Sequence, residues 1–226
     1  IRVEATDLNF ADILQCQGSY QIKQVPPFTP GMNATGTVLD ANPNLGFAIG
    51  KRIVGPTVGP YGGYAEEALL LGERSHGVPD ELDAVSAIGA HVTHGTAWFA
   101  LHQRGKVKPG ETVLVLAAAG GVGSAAVQMA SAFGCWVAAA AAGAQKTAFC
   151  QELGADLVID YDSDDLYQGI MDATDGRGVD VVYDPVGGRY FDIARRLLAF
   201  EGRLLIVGFA SGDIPSAPAN HALVKN

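Results

Sequence analysis

What the 226-residue chain lacks narrows its function first. It has no basic stripe: 15 Lys and Arg stand against 24 Asp and Glu, a formal net charge of -9. No surface for tracking a phosphate backbone is implied, and nucleic acid is a poor partner. Its three cysteines, Cys16, Cys135 and Cys150, are odd in number, far apart and form no C-x-x-C. That excludes a disulfide framework or a cysteine zinc site and fits a reducing compartment, with the cytoplasm as the expected location. No basic segment leads into an apolar run with a small-residue cleavage site, so no secretory signal is read. The chain opens on Ile1 in mid-pattern and stops at Asn226 just after a loop and short helix, and it reads as an internal piece of a longer protein. With 48% hydrophobic and 17% charged residues, it has room for one large domain or two modest ones, and disorder is not expected.

Acid is absent locally as well. From Thr112 to Gln151 there is no Asp or Glu, and Lys146 is the only charged residue. A hydropathy window would accept this stretch as a membrane span, but Gly120, Gly121 and Gly123 break any single helix through it. Their flanks differ in character. "TVLVLA" is a short β-branched run, whereas "VGSAAVQMASAFG" repeats at helical spacing, with Val122, Ala126, Met129 and Phe133 on one face. "WVAAAAAG" then reads as a second buried strand, despite the poor strand propensity of alanine.

The alternation continues along the chain. "AQKTAFCQELG" reads as a helix ended by Gly154, "ADLVIDY" as a strand, and "DSDDLYQGIMDATDG" as an acid-capped helix. "GVDVVYDPVGG" is a strand, "RYFDIARRLLAFEG" a helix with Gly202 past its end, and "GRLLIVGF" a fifth strand. Buried strands alternating with helices predict an α/β doubly wound parallel sheet with its ligand at the carboxyl ends of the strands, where the order reverses. Before about Thr93 the texture changes. Short apolar runs ("TGTVLDA", "KRIVGPTV", "GGYAEEALLL") alternate with turn residues, predicting a compact β-rich module over 1–92, joined to the 93–226 domain by a helix within "DELDAVSAIGAHVTHGTAWFALHQRG".

In a dinucleotide fingerprint G-x-G-x-x-G, one glycine makes the tight turn, one admits the pyrophosphate to backbone amides and one lets the helix pack closely on the strand. The aligned residues here are Ala118, Ala119, Gly120, Gly121, Val122 and Gly123, with alanine in place of the first glycine. Amides at the following helix N-terminus suit phosphate. NAD sites usually offer an acid to the ribose roughly 20 residues beyond the glycines, and none is present. Lys146 instead follows the second strand in "AGAQK", where it suits the 2′-phosphate of NADPH; a solvated lysine on a first helical turn is the alternative.

"NFADILQCQGSY", "PPFTPGMNATGTV", "GGYAE", "KPGETVLVLAAAGGVGSAAVQMA", "ELGADLVIDY", "GVDVVYDPVGG" and "GRLLIVGFASGDIP" together resemble the zinc-independent quinone oxidoreductases, the zeta-crystallin-like branch of the medium-chain dehydrogenase/reductases. The resemblance spans essentially the whole chain. It implies a GroES-like β-rich domain completed by residues beyond this chain, an NADPH-binding Rossmann domain, and, in full-length members, a further strand that helps form a homodimer. It also implies Lys146 and Tyr161 at the 2′-phosphate, Gly143 at the cofactor, and Gly208, Phe209 and Thr96 beside the nicotinamide. Asn9, Asp12 and Tyr20 would line the substrate side. Two departures are Asn33, where similar sequences often carry Glu, and Lys51, where they often carry Asp. The Cys and His-Glu positions of the zinc-dependent relatives are filled by "NFAD" and "GMN", so no metal site is expected.

The expected reaction follows from that. A quinone or α,β-unsaturated carbonyl spreads incoming charge over a conjugated system, so hydride delivery needs orientation and one or two hydrogen bonds rather than a Lewis acid. Tyr20 is the candidate donor to the acceptor oxygen and Asn9 a positioning group; Tyr20 as an aromatic cover over a loop is equally open. The alternative function is a nucleotide-binding structural or regulatory relative without turnover. His91 and His94, at i, i+3, lack the further ligands that zinc wants. Trp98 and Phe99 are expected in the core, and the three cysteines as small buried or partly buried residues.

Overall fold

The computed structural model describes residues 1–225. The chain divides into two compact units, Ile1–Val92 and the residues from Thr93 onward.

In the first unit, β1 (Arg2–Thr6), α1 (Phe10–Cys16), β2 (Asn33–Thr37), β3 (Arg52–Pro56) and β4 (His76–Gly77) precede helix α2 (Ala84–Gly89). The strands form one antiparallel sheet in the order β1-β2-β3-β4. Asp83 caps α2 by accepting the Ser86 amide at 2.9 Å, and the helix lays Ala87 and Ile88 against Val54 and Val78. "GGYAEEALLL" makes no strand, only isolated bridges from Glu67 to Arg2 and from Leu70 to Thr57. Burial does not alternate through its first half: Tyr64, Ala65, Glu66 and Glu67 are four successive exposed residues.

The second unit runs α3 (Gly95–Trp98), β5 (Thr112–Val115), α4 (Gly121–Ala132), β6 (Trp136–Ala141), α5 (Ala144–Glu152), β7 (Leu157–Asp160), α6 (Leu166–Ala173), β8 (Val179–Asp184), α7 (Gly188–Leu197), β9 (Leu198–Ile206) and α8 (Ala219–Lys225). The five strands β5 to β9 are all parallel, in the order β7-β6-β5-β8-β9. The doubly wound expectation therefore holds, and the order reverses between β5 and β8. Successive strand residues serve opposite faces. Val113, Val115, Val137, Ala139, Val181 and Tyr183 join one core cluster. Leu114, Leu116, Ala138, Ala140 and Val182 join the other, with Ile170 of α6 and Ala194 and Leu197 of α7.

The alanine strand owes its place to closeness rather than propensity. Val137 to Ala140 are fully buried, and α4 turns its own small residues, Gly123, Ala126 and Ala130, inward with Val127. Small faces let helix and sheet approach, and dense packing recovers dispersion that a single alanine offers little of. This rotates α4 from its expected face: Val122 and Met129 are half-buried and Phe133 is exposed.

Other expectations need correction. Helix α7 stops at Leu197, and Leu198 already pairs with Val179, so Gly202 lies within β9. A register shift separates that pair from Val181 with Arg203, and Glu201 sits in the bulge at φ 60°. Sheet pairing and burial of Leu198 and Ala199 override the helical periodicity there. Trp98 and Phe99 are 48% and 49% exposed rather than core residues. Cys16 is exposed, whereas Cys135 and Cys150 are buried and burial pushes both thiols up, away from reactivity. Among the described residues no helix is long and apolar enough to cross a membrane.

At the amino ends of β5, β8 and β9, polar groups tie the sheet together. Asp180 accepts from the Thr112 amide and hydroxyl at 2.8 and 2.7 Å and from Arg177 at 2.7 and 3.2 Å, while Arg203 pairs with Glu111 at 2.8 Å. Burial opposes ionisation of Asp180, but the Arg177 guanidinium and the Thr112 donors outweigh it and hold the carboxyl down to about 2. A folded pKa below the ordinary 3.8 adds stability at neutral pH, and that stability is lost as pH falls through the interval between the two values. Asp180→Asn is therefore expected to lower the urea midpoint at pH 6, with the variant and wild-type curves converging between about pH 4 and pH 2. A gap of unchanged size at the acid end would contradict this account.

Candidate dinucleotide site

The carboxyl ends of β5, β6, β7, β8 and β9 share one edge of the sheet, and the glycine-rich turn lies on it. After Leu116, Ala117 takes a left-handed conformation at φ 47°, unusual for a residue with a Cβ. Its carbonyl receives the Gly120 amide at 2.9 Å, which closes the turn. A Cβ on Gly123 would fall inside the van der Waals shell of the Ala117 carbonyl oxygen, so only glycine lets the first turn of α4 come this close. The left-handed residue is Ala117, one before the expected turn position, while Ala118 is fully buried. Gly120 and Gly121 are exposed and Ala119 and Val122 half-buried, leaving a rim of backbone in front of α4. No acid stands in the first turn of α4. Its orphan amides and positive dipole end thus face no competing carboxylate of their own.

Beside this turn, the loops following β8 and β9 are zipped together. The amides of Val207, Ala210 and Ser211 donate to the carbonyls of Asp184, Pro185 and Val186 at 2.8, 3.0 and 3.0 Å. That places Gly208 and Phe209 at the same sheet edge, with the Phe209 ring against Gly187. Thr96 lies half-buried on α3, a helix in contact with α4. Asp184 is 1% exposed. Its Oδ1 accepts the Val186 and Gly187 amides at 2.8 and 2.9 Å, and its Oδ2 is buried without a partner. Sequence reading missed this residue, although an acid directly before Pro-x-Gly-Gly is a turn signal.

At the β6–β7 corner, Gly143 has φ 84° and caps α5, whose first turn carries the exposed Lys146 and no acid. The structure brings in an acid that the local sequence lacks. Asp160, at the end of β7, accepts the Gly143 amide at 2.9 Å and the Asp162 amide at 3.0 Å through Oδ1. The Gly143 hydrogen bond, then that of Asp162, draws its carboxyl below the usual range. Tyr161 follows directly after β7. Its hydroxyl oxygen accepts the Ala117 amide at 3.0 Å, its ring lies 4.4 Å from that of Tyr190, and burial pushes its phenol strongly upward. It therefore buttresses the turn.

In the first unit, the expected substrate-side residues are Asn9, Asp12 and Tyr20. Asn9 caps α1, and its Nδ2 donates to Asp7 at 2.7 Å. Asp12 is 1% exposed, with Oδ2 accepting the Asn9 amide at 2.9 Å and Oδ1 the Met32 amide at 2.8 Å. Both oxygens are engaged by backbone, so Asp12 shapes the loop. Tyr20 is half-buried, with its amide on the Leu14 carbonyl at 3.1 Å. Two neighbours escaped sequence reading. Burial raises the Asp7 carboxyl, and the Tyr64 hydroxyl donates to the Asp7 carbonyl at 3.1 Å, its own pKa pushed up to about 12 by burial and the nearby Asp12 and Asp7 charges.

A β-rich unit with a short antiparallel sheet, followed by a doubly wound sheet with a glycine turn at its switch point, is the plan of the medium-chain dehydrogenase/reductases. Residues 1–155 match the alcohol dehydrogenase GroES-like domain and residues 121–226 the zinc-binding dehydrogenase domain. Quinone oxidoreductase-like protein 2 of Bos taurus is 40% identical over the whole chain, which covers 65% of that protein; the Nematostella vectensis homolog is 38% identical, with 62% covered. Among solved structures, a mycobacterial protein complexed with NADPH superposes at a TM-score of 0.91 and 32% identity, over 100% of this chain and 70% of that one. The quinone oxidoreductase of Thermus thermophilus, also solved with NADPH, gives 0.80 and 37%, over 100% and 68%. The chain belongs to the zinc-independent quinone oxidoreductase family of the medium-chain dehydrogenase/reductases. It spans a little under two thirds of the curated relatives' length. Among the described residues no group of three His, Cys, Asp or Glu side chains could hold a metal ion, so the donor set does not fit the zinc of the second domain's name.

Gly123→Ala is expected to cost about 1–3 kcal/mol through overpacking against Ala117, read as a lowered urea midpoint. Gly121→Ala meets only the Thr93 methyl at 3.2 Å and gains helix propensity, so it should be neutral or slightly stabilising. Equal costs at the two positions would refute the close-approach argument.

Proposed function

We propose that this chain is the core of an NADPH-dependent reductase of quinones or α,β-unsaturated carbonyls. The observation that carries the reading is the turn from Ala117 to Gly123, tightened by a glycine contact at the switch point of the sheet, in a chain 40% identical to a quinone oxidoreductase-like protein. The fit of the dinucleotide rests on the exposed backbone of Gly120 and Gly121, with Ala119, Val122 and Gly123, before an acid-free helix start. Lys146 would take the 2′-phosphate, since Asp160 is already held by the amides of Gly143 and Asp162. Gly208, Phe209 and Thr96 would frame the nicotinamide.

NADPH, when bound, supplies the hydride. Tyr20 would donate a hydrogen bond to the acceptor oxygen, with Asn9 orienting the acceptor and Asp12 fixing the loop that carries Asn9. One proton from solvent balances the hydride, giving a hydroquinone or a saturated carbonyl. Because conjugation spreads the charge, the protein's tasks are orientation and water exclusion. In the full-length protein we place this activity in the cytoplasm, in a homodimer acting on small molecules and not on nucleic acid; the net charge of -9 supports the last point.

Two measurements test the reading. NADPH oxidation should be detectable with a panel of quinones and enones, and binding without oxidation of any of them would favour the nucleotide-binding role without turnover. Lys146→Glu should weaken NADPH by roughly ten- to a hundredfold while NADH binding stays unchanged. Equal wild-type affinity for both cofactors would remove the phosphate assignment.

A further inference from the structure

We propose that a cavity at the amino ends of β5 and β8 is a binding site for a small organic polyanion, with Lys106, Lys108 and Arg104 as the groups that hold its anionic oxygens. The glycine turn lies at the opposite end of the same sheet, so this site stands apart from the cofactor reading above.

The cavity measures about 530 Å³, a size that suits a small molecule. Two acids of its lining are already neutralised: Arg203 pairs with Glu111 at 2.8 Å, and Arg177, from outside the lining, pairs with Asp180 at 2.7 Å. The remaining cations are not. Lys106 and Lys108 are exposed and form no ion pair among the described residues. Arg104 lies with its guanidinium 4.8 Å from the centre of the Phe99 ring, a contact that orients the group and leaves its charge in place. Glu201 is the one lining acid without an ion pair among the described residues. Three unneutralised cations thus share the cavity with one such carboxylate, in a chain whose formal net charge is -9. Cations gathered in a concave site draw anions from solution.

The backbone here carries strain that a merely solvated run of charges would not need. Lys106 at φ 46° and Glu201 at φ 60° are two of the four non-glycine residues in the left-handed region among the described residues, and both line this cavity. Glycine would adopt either conformation freely, so each charged side chain is kept there at a cost to the fold. Strain of this kind collects at ligand sites. The two segments are also fixed to one another, because Arg203 Nε donates to the Gly105 carbonyl at 2.9 Å across 98 positions of sequence. Phe200, 68% exposed, adds an apolar face to the lining. Lysines for anionic oxygens and a phenyl ring for a carbon skeleton together describe an organic polyanion rather than a bare inorganic ion.

Calorimetric titration of the chain with fructose 1,6-bisphosphate and, separately, with citrate tests the site. Binding of the first alone identifies phosphate as the anionic group, binding of the second alone carboxylate, and binding of neither overturns the proposal. Lys106→Gln and Lys108→Gln are each expected to weaken the bound probe roughly tenfold. Glu201→Gln should tighten it, because it removes a carboxylate from the cavity. Lys146→Glu, a larger charge change at the other sheet edge, should stay within about twofold of wild type. A loss in Lys146→Glu equal to that in Lys106→Gln would overturn the assignment by placing the probe at the dinucleotide edge. Lys106→Gly separates the side chain from the fold. It frees the strained backbone, so the melting temperature should hold or rise while the probe binds more weakly; unchanged binding in that variant refutes the site.

Discussion

How near helix α4 can come to the end of strand β5 governs the second unit. At Gly123 the gap is too small for any Cβ, because the Ala117 carbonyl already fills it. That single approach fixes the direction of α4 and the backbone rim at Gly120 and Gly121. The small residues elsewhere serve the same end: Ala126 and Ala130 on the helix face Ala139 and Val137 of β6 within one core cluster. A larger side chain at any of these places would lift the helix and move its amides away from the sheet edge. The packing of α4 and the position of its first amides are therefore one constraint rather than two.

Charge is distributed to match. The chain is acidic, yet α4 and α5 both begin without an acid in their first turns. Two carboxylates at the sheet edge each have an oxygen held by backbone amides: Asp160 by Gly143 and Asp162, Asp184 by Val186 and Gly187. An amide-bound carboxylate keeps its charge but directs it into the loop it organises. The helix starts are thus left to attract an anion, and Lys146 stands in the first turn of one of them.

Much of this was legible in the sequence because its signals are local. Strand periodicity, the Gly120–Gly123 spacing and the acid-free stretch around Lys146 each lie within about 40 residues and suffice for the strand-and-helix alternation and the glycine turn. The failures have a common cause in contacts between distant segments. The helix-like run to Gly202 yields to pairing of Leu198 with Val179, and the largest apolar residues of α4 yield the buried face to the smallest. The Tyr161 hydroxyl bonds Ala117, 44 positions earlier, a contact that no local pattern signals. Ala117 itself carries no sequence signal, since alanine is not a residue expected at positive φ.

The asparagine at position 33 yields to the same kind of argument. The resemblance leads one to expect glutamate there. In the first unit, however, Asp7 sits among Asn9, Asn33 and the charge of Asp12, with burial already raising its carboxyl. The Asn9 amide donates to it at 2.7 Å, and Asn33 likewise favours its charged form. A glutamate at 33 would set a second carboxylate near Asp7 in place of a neutral amide, adding repulsion at a site that burial makes costly for charge. Asn33 is thus matched to Asp7: the amides of Asn9 and Asn33 favour the charged carboxyl and offset part of the burial that raises it.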